Sequence, residues 1–315
     1  MPNPTITGYL LAFAATIFWS GNFVAARFLA AENLSPIEVS FWRWSIACAT
    51  LLPFTARTIR AHWHLLKGVW LHILIMALTS ITLFNTFIYQ AGHTTSATNM
   101  ALLAATSPIV MALLARLFLK EKLTRSQIVG ILVAMCGILV LISKGTITTF
   151  TTMTFASGDL WMMAAVLFFA AYSLQLRLRP KDFPQTAFFS LLVALGLLPL
   201  FPAMGYLLLA APRQIPQGNA LYSLIYIGIG AGVLAFLLWN AAIERIGMVR
   251  AGIIYYSIPL FASIEAAILL GESMKLSQIV GGVLILGGIF YSVLGELLLS
   301  GIWRVLGKQG QRHKG

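Results

Sequence analysis

Ten stretches of this 315-residue chain are apolar for about 20 residues or more, and that feature limits what it can fold into. A helix of that length spans roughly 30 Å of hydrocarbon. The stretches are 7–30, 36–56, 69–90, 96–118, 125–143, 158–178, 184–210, 219–242, 248–270 and 277–299. Backbone groups in lipid find no water, so each span is expected to be a helix that satisfies its own polar groups. Composition points the same way. At 59% hydrophobic and 10% charged, the chain has too little polar surface for a soluble protein. The opening "MPNPTITGYLLAFAATIFWS" has no Lys or Arg ahead of its apolar run, so it reads as a retained span and not a secretory signal.

The net charge of +12 raises the question of nucleic acid. The charges are scattered over short segments between spans, too few in any one for a phosphate backbone, so no nucleic-acid partner is expected. Their placement speaks to orientation instead. With both termini inside, the inner segments hold Arg57, Arg60, Lys67, Arg116, Lys120, Lys122, Arg125, Arg177, Arg179, Lys181, Arg245, Arg250, Arg304, Lys308, Arg312 and Lys314. The outer segments hold Arg27, Lys144, Arg213 and Lys275. Basic residues accumulate on the cytoplasmic side, so both termini are expected there, with an even span count.

The segment "LKEKLTRSQIVG" at 119–130 returns as "LGESMKLSQIVG" at 270–281. At an offset of 151, nine of 21 positions match between Leu119–Leu139 and Leu270–Phe290, and Pro108 meets Pro259. The chain therefore reads as a duplication. Its unit holds five spans, an odd number, so the second copy enters the membrane from the opposite face. Inverted repeats of this kind are a recurring plan of secondary transporters, with substrate held near the midplane between them. The expected fold is an all-α polytopic membrane protein of ten transmembrane helices in two inverted five-helix repeats. Residues 1–147 form the first repeat, 148–299 the second and 300–315 a basic cytoplasmic tail.

Gly130 and Gly137 lie two helical turns apart, as do Gly281 and Gly288. Small residues let membrane helices approach closely, so the fifth and tenth spans are expected to pack tightly. Pro108 and Pro259 remove a backbone donor inside matched spans and are expected to kink them, with a gating role. Polar and aromatic residues in the spans suggest a pocket: Trp19, Asn22, Asn85, Tyr89, Gln90, Asn99, Tyr172, Trp239, Asn240, Tyr255 and Tyr256. Tyr89–Gln90 and Trp239–Asn240 hold corresponding places in the two copies. For any single member, helix–helix hydrogen bonding is the alternative. Two ionisable residues lie deep, Glu265 and Arg43. Glu265 is a candidate for proton coupling, because a carboxyl in low dielectric takes up a proton more readily than in water. Arg43 is expected to pair locally with Glu38. Cys48 and Cys136 read as buried free thiols. The tripeptide "HWH" at 62–64 reads as solvated loop histidines, and no metal or cofactor is expected. No nucleophile–base arrangement, Walker loop or dinucleotide turn occurs, so the chain is not expected to be an enzyme.

The residues that follow carry a family resemblance. "FWSGNFVAARFL", "SFWRWSIACATLLP", "ATNMALLAATSPIVMALLARLFLKEKLT" and "VRAGIIYYSIPLFASIEAAILLGESMKLSQIVGGVLILGGI" together resemble the drug/metabolite transporter superfamily, in particular the ten-helix EamA-type exporters. The resemblance spans about residues 7–297. It implies a basket of ten helices working by alternating access in the bacterial inner membrane, and export or exchange of small metabolites, often amino acids. The positions it carries over are Pro108, Glu121, Gly130, Pro259, Glu272 and Gly281. Small multidrug relatives use a membrane Glu in the first span, and this chain has none there. The expected function is secondary active transport of small amphipathic metabolites, with proton coupling through Glu265. The alternatives are a multidrug or toxic-compound exporter and, from another class, a non-transporting scaffold or enzyme. The expected partners are a small-molecule substrate and the bilayer. Lipid-facing and partner-facing surfaces read alike, so the sequence sets no oligomeric state.

Overall fold

The structure is a computed structural model that describes residues 4–95, 97–143, 146, 148–151, 155–210, 215–270 and 276–312. Among them there is no strand. The principal helices are α1 (Pro4–Ala31), α2 (Pro36–Ala61), α3 (Trp70–Thr94), α4 (Ala97–Ala104), α5 (Ser107–Phe118) and α6 (Arg125–Ile142). They continue with α7 (Ser157–Gln175), α8 (Gln185–Ala210), α9 (Gly218–Tyr255), α10 (Ile258–Leu270) and α11 (Leu276–Arg312). Seven are long and apolar enough to cross a membrane: α1, α3, α6, α7, α8, α9 and the Leu276–Gly295 part of α11. The α2 helix is as long, but it carries Glu38, Arg43, Arg57 and Arg60, which dilute its apolar character.

Local chemistry explains the helix ends. Ser35 caps α2 by accepting from the Glu38 N–H, while the Ser35 N–H donates to Glu38 Oε2 at 2.8 Å. Thr124 and Gln127 form the same reciprocal cap on α6. Gly247, at φ 81° and ψ 165°, breaks the helical run of α9, a conformation that favours glycine. That break separates the spans expected at 219–242 and 248–270.

At both prolines the helical run is interrupted. The chain leaves α4 at Ala104, and Pro108 stands at the first turn of a new helix, α5. In the second copy α9 ends at Tyr255, and Pro259 stands at the first turn of α10. A proline is tolerated there because its missing N–H has no intrahelical partner to lose. Each pair is therefore two helices in sequence, joined by a two-residue turn that keeps right-handed angles at Thr106 and Tyr256 and bonds to carbonyls three residues back. The Thr16 hydroxyl of α1 meets the Ser257 hydroxyl of one link at 2.9 Å. Two π-helical segments, Leu78–Leu83 in α3 and Tyr226–Leu234 in α9, also recur under the 151-residue offset.

Packing follows a two-fold pattern. The α1 helix packs on α9 and α10, and its image α7 packs on α3, α4 and α5. The α2–α8 and α6–α11 contacts are their own images. In the last, a Cβ on Gly130 would strike the Gly288 carbonyl at 2.6 Å, and one on Gly137 would strike the Gly281 carbonyl at 2.7 Å. The lower residue of one pair meets the higher of the other, so α6 and α11 run antiparallel through the crossing. Glycine is required at all four positions for this approach.

Candidate functional site

The buried centre is aromatic. Trp19 of α1 touches Phe169, Phe236, Trp239 and Tyr255, with ring centroids 5.2–6.0 Å apart. Phe169 of α7 stacks on Phe84 of α3 at 5.1 Å. Both repeats contribute, so this cluster is where they interlock. Such edge-on and offset ring pairs add to the stability that burial provides.

A polar cluster adjoins the rings. Arg43 of α2 is 1% exposed, and its Nη1 donates to Asn22 Oδ1 at 2.6 Å and to the Tyr89 hydroxyl at 2.8 Å. Its Nη2 donates to the Ala231 carbonyl at 3.0 Å, and Trp19 Nε1 donates to the same oxygen at 3.0 Å. Ala231 lies in the π segment of α9, where the altered backbone pattern makes a carbonyl available to side chains. Gly228 and Gly232 of that segment let α2 come close: a Cβ on Gly228 would press on Ile46 at 2.8 Å. The expected Glu38–Arg43 pair does not form. Residues five apart on a helix do not face each other, so Glu38 caps α2 while Arg43 turns inward.

Trp19, Asn22, Arg43, Phe84, Asn85, Ile88, Phe169 and Tyr255 line a cavity of about 20 Å³. That holds one or two waters and nothing larger. The centre is therefore narrow in the described conformation. Of the residues proposed from sequence, Trp19, Asn22, Asn85 and Tyr255 line this space. Tyr89 stands behind it, through Arg43. Trp239 belongs to the aromatic cluster, packed on Trp19 and Phe169, and does not line the cavity. Tyr172 and Asn240 do not line it either, and the Tyr172 hydroxyl donates to Asn240 Oδ1 at 2.7 Å. Tyr256 is buried beside the link before α10, and Gln90 is half-buried away from the cavity walls. The side chains of Asn99 and Glu272 lie outside the described residues.

Glu265 of α10 is half-buried, and its Oε1 accepts from the Ser20 hydroxyl of α1 at 2.6 Å. Its Oε2 is buried with no hydrogen-bond partner. Tyr226 lies within electrostatic reach of both Glu265 and Arg43, and its hydroxyl donates to the Phe18 carbonyl at 2.8 Å. A side chain on Gly21 would collide with that hydroxyl, so this glycine keeps α1 and the π segment together. Sequence reasoning missed Phe84, Phe169, Ser20 and Tyr226. The first two look like any other apolar residue of a span. Ser20 was visible as a polar neighbour of Trp19, but its carboxylate partner is 245 positions away. Among the described residues no group of three metal-ligating side chains occurs.

The chain is similar to proteins of known class. It is 26% identical over 94% of its length, and 94% of the relative's, to the "Uncharacterized transporter YyaM" of Bacillus subtilis (strain 168). It is 28% identical over 90% of its length, and 94% of the relative's, to a "Probable amino-acid metabolite efflux pump" of Salmonella typhimurium (strain LT2). A solved crystal structure superposes with a TM-score of 0.72 at 19% identity, covering 93% of this chain and 98% of the other, which shows a shared fold. The EamA-like transporter family matches over residues 6–143 and 156–294, one match for each repeat, and the chain belongs to that family.

Proposed function

We propose that the protein is a secondary active transporter that exports amino acids or related amphipathic metabolites by alternating access. The observation that carries this reading is the aromatic and polar centre at the seam of the two repeats. A solute held there touches both halves, so a rocking of one repeat against the other exposes it to either side in turn. The similarity to a probable amino-acid metabolite efflux pump favours the substrate class. The half-helices beginning at Pro108 and Pro259 are the parts that move, since their links lack continuous helical hydrogen bonding.

Ten crossings with both termini cytoplasmic belong to this proposal. Contacts between loops support it. Arg177 pairs with Glu121 at 3.7 Å, Arg179 with Glu244 at 2.6 Å, and His62 lies against Phe183, with ring centroids 5.7 Å apart. All six residues lie in segments that a ten-span, N-in arrangement puts on the inner side. Thr95 and Asp159, from two segments assigned to the outer side, bond to each other. In the same proposal Glu265 carries the coupling proton, with Ser20 as the donor that relays its state to α1.

Reconstitution in liposomes tests the reading. A panel of labelled neutral amino acids, offered with and without a pH gradient, should give saturable uptake that follows the gradient for at least one member. Uptake equal to empty liposomes across the panel would refute the substrate class. The same panel extended to amphipathic cationic drugs separates metabolite export from drug export.

A further inference from the structure

We infer that Arg43 and Asn85 form an anion site that receives the carboxylate of a solute with an apolar or aromatic body. The inference rests on reading the central cavity as the transport path, and it names the group that the path recognises.

Four observations carry it. Arg43 is enclosed at 1% exposure, yet its three acceptors, Asn22 Oδ1, the Tyr89 hydroxyl and the Ala231 carbonyl, are all neutral. Among the described residues no carboxylate pairs with it. A guanidinium stays charged in any protein medium, and a buried charge without a counter-ion is costly. Second, Arg43 and Asn85 both line the cavity, and each keeps one buried N–H group without a partner, Nε and Nδ2. Unpaired donors on two residues that line one cavity suit an acceptor with two oxygens.

Third, the scaffold does not need the charge. The first copy joins α1 to α3 through Asn22 and Tyr89, and the second joins α7 to α9 through Tyr172 and Asn240. At the offset of 151, Tyr89 of α3 is replaced by Asn240 of α9, while Tyr172 lies one position from the image of Asn22, and the second contact holds without an arginine. The α8 helix, the image of α2, has no charged residue from Gln185 to Ala210. The fourth observation concerns the rest of the wall. Trp19, Phe84, Phe169 and Tyr255 are rings, suited to an apolar body behind the carboxylate.

The test uses the purified full chain in detergent and its tryptophan fluorescence. Trp44 lies under the guanidinium, with Arg43 Cζ 5.1 Å from its ring, and Trp19 lines the cavity, so an occupied site changes the emission. The probe is phenylacetate, with phenylacetamide as the neutral isostere and sodium chloride at matched ionic strength as the simple anion. Phenylacetate should give a saturable response that neither control gives. Arg43→Gln should weaken it on the order of 10- to 100-fold. Arg43→Lys should fall between, because it keeps the charge and loses the planar fork. Asn85→Leu removes the second donor while leaving the Arg43 bonds in place. It should weaken binding several-fold and decides the matter if Arg43→Gln does not fold. No response to phenylacetate, equal responses to either control, or unchanged affinity in both Arg43→Lys and Asn85→Leu would overturn the inference. Transport without phenylacetate binding defeats this inference alone, and phenylacetate binding without amino-acid transport defeats the substrate reading alone.

Discussion

Buried polar side chains in this protein come in two electrostatic kinds, and their energetics should differ. Tyr89 donates no charge itself but accepts from one, the Arg43 guanidinium, whereas Tyr172 donates to a neutral amide. Removing an acceptor from a buried cation costs about 1.5–3 kcal/mol, while a neutral bond between membrane helices averages about 0.6 kcal/mol. Tyr89→Phe should therefore lower the unfolding free energy in detergent clearly more than Tyr172→Phe does. Equal losses would mean that Arg43 finds another acceptor. Glu265 yields a functional prediction. Its Oε2 is buried without a partner, and its Oε1 depends on Ser20. Glu265→Gln keeps the shape and removes the titration, so transport should continue with its response to a pH gradient lost. A variant that follows the gradient as the parent does would assign coupling elsewhere.

The helix crossing of α6 and α11 is a single contact counted from two sides, because Gly137 and Gly281 face each other's carbonyls. Gly137→Ala and Gly281→Ala should each cost about 1–3 kcal/mol by forcing the backbones apart. The double variant should cost less than their sum, since the first substitution already opens the crossing. Gly287→Ala on the same helix meets nothing within 4 Å and is the control. Thermal unfolding of the four variants decides this. The glycines also show what was legible in sequence. Their seven-residue spacing and 151-residue recurrence mark a packed, duplicated pair in the sequence alone. The prolines were legible as positions but not as events, because a proline inside an apolar run does not reveal whether a helix bends or starts anew. The paired dyads were read one residue out of step. At the offset of 151, Tyr89 corresponds to Asn240, and the exchange of amide for phenol hid the match from residue identity. Arg43 was seen and given the wrong neighbour, since its partners come from α1, α3 and α9 and no local pattern names them.

At the scale of the whole molecule, both repeats line the central cavity, and the contact pattern returns on itself when the repeats are exchanged. Two repeats related in this way would have two equivalent ways to open, one toward each face of the membrane. The proposed ten spans, an even count, would put both ends of the chain on one side. A reporter that is active only in the cytoplasm should therefore work when fused to either terminus, and activity at one terminus alone would contradict the ten-span arrangement. The central claim is that a single site is exposed to the two sides by turns, and counterflow addresses it most directly. Proteoliposomes loaded with a mixture of unlabelled neutral amino acids would be diluted into labelled ones without any ion gradient. Transient accumulation of label above its equilibrium level, abolished when the internal load is omitted, is the predicted result. Label that enters at the same rate whether or not the inside is loaded would mean a pore open to both sides, and would contradict the account.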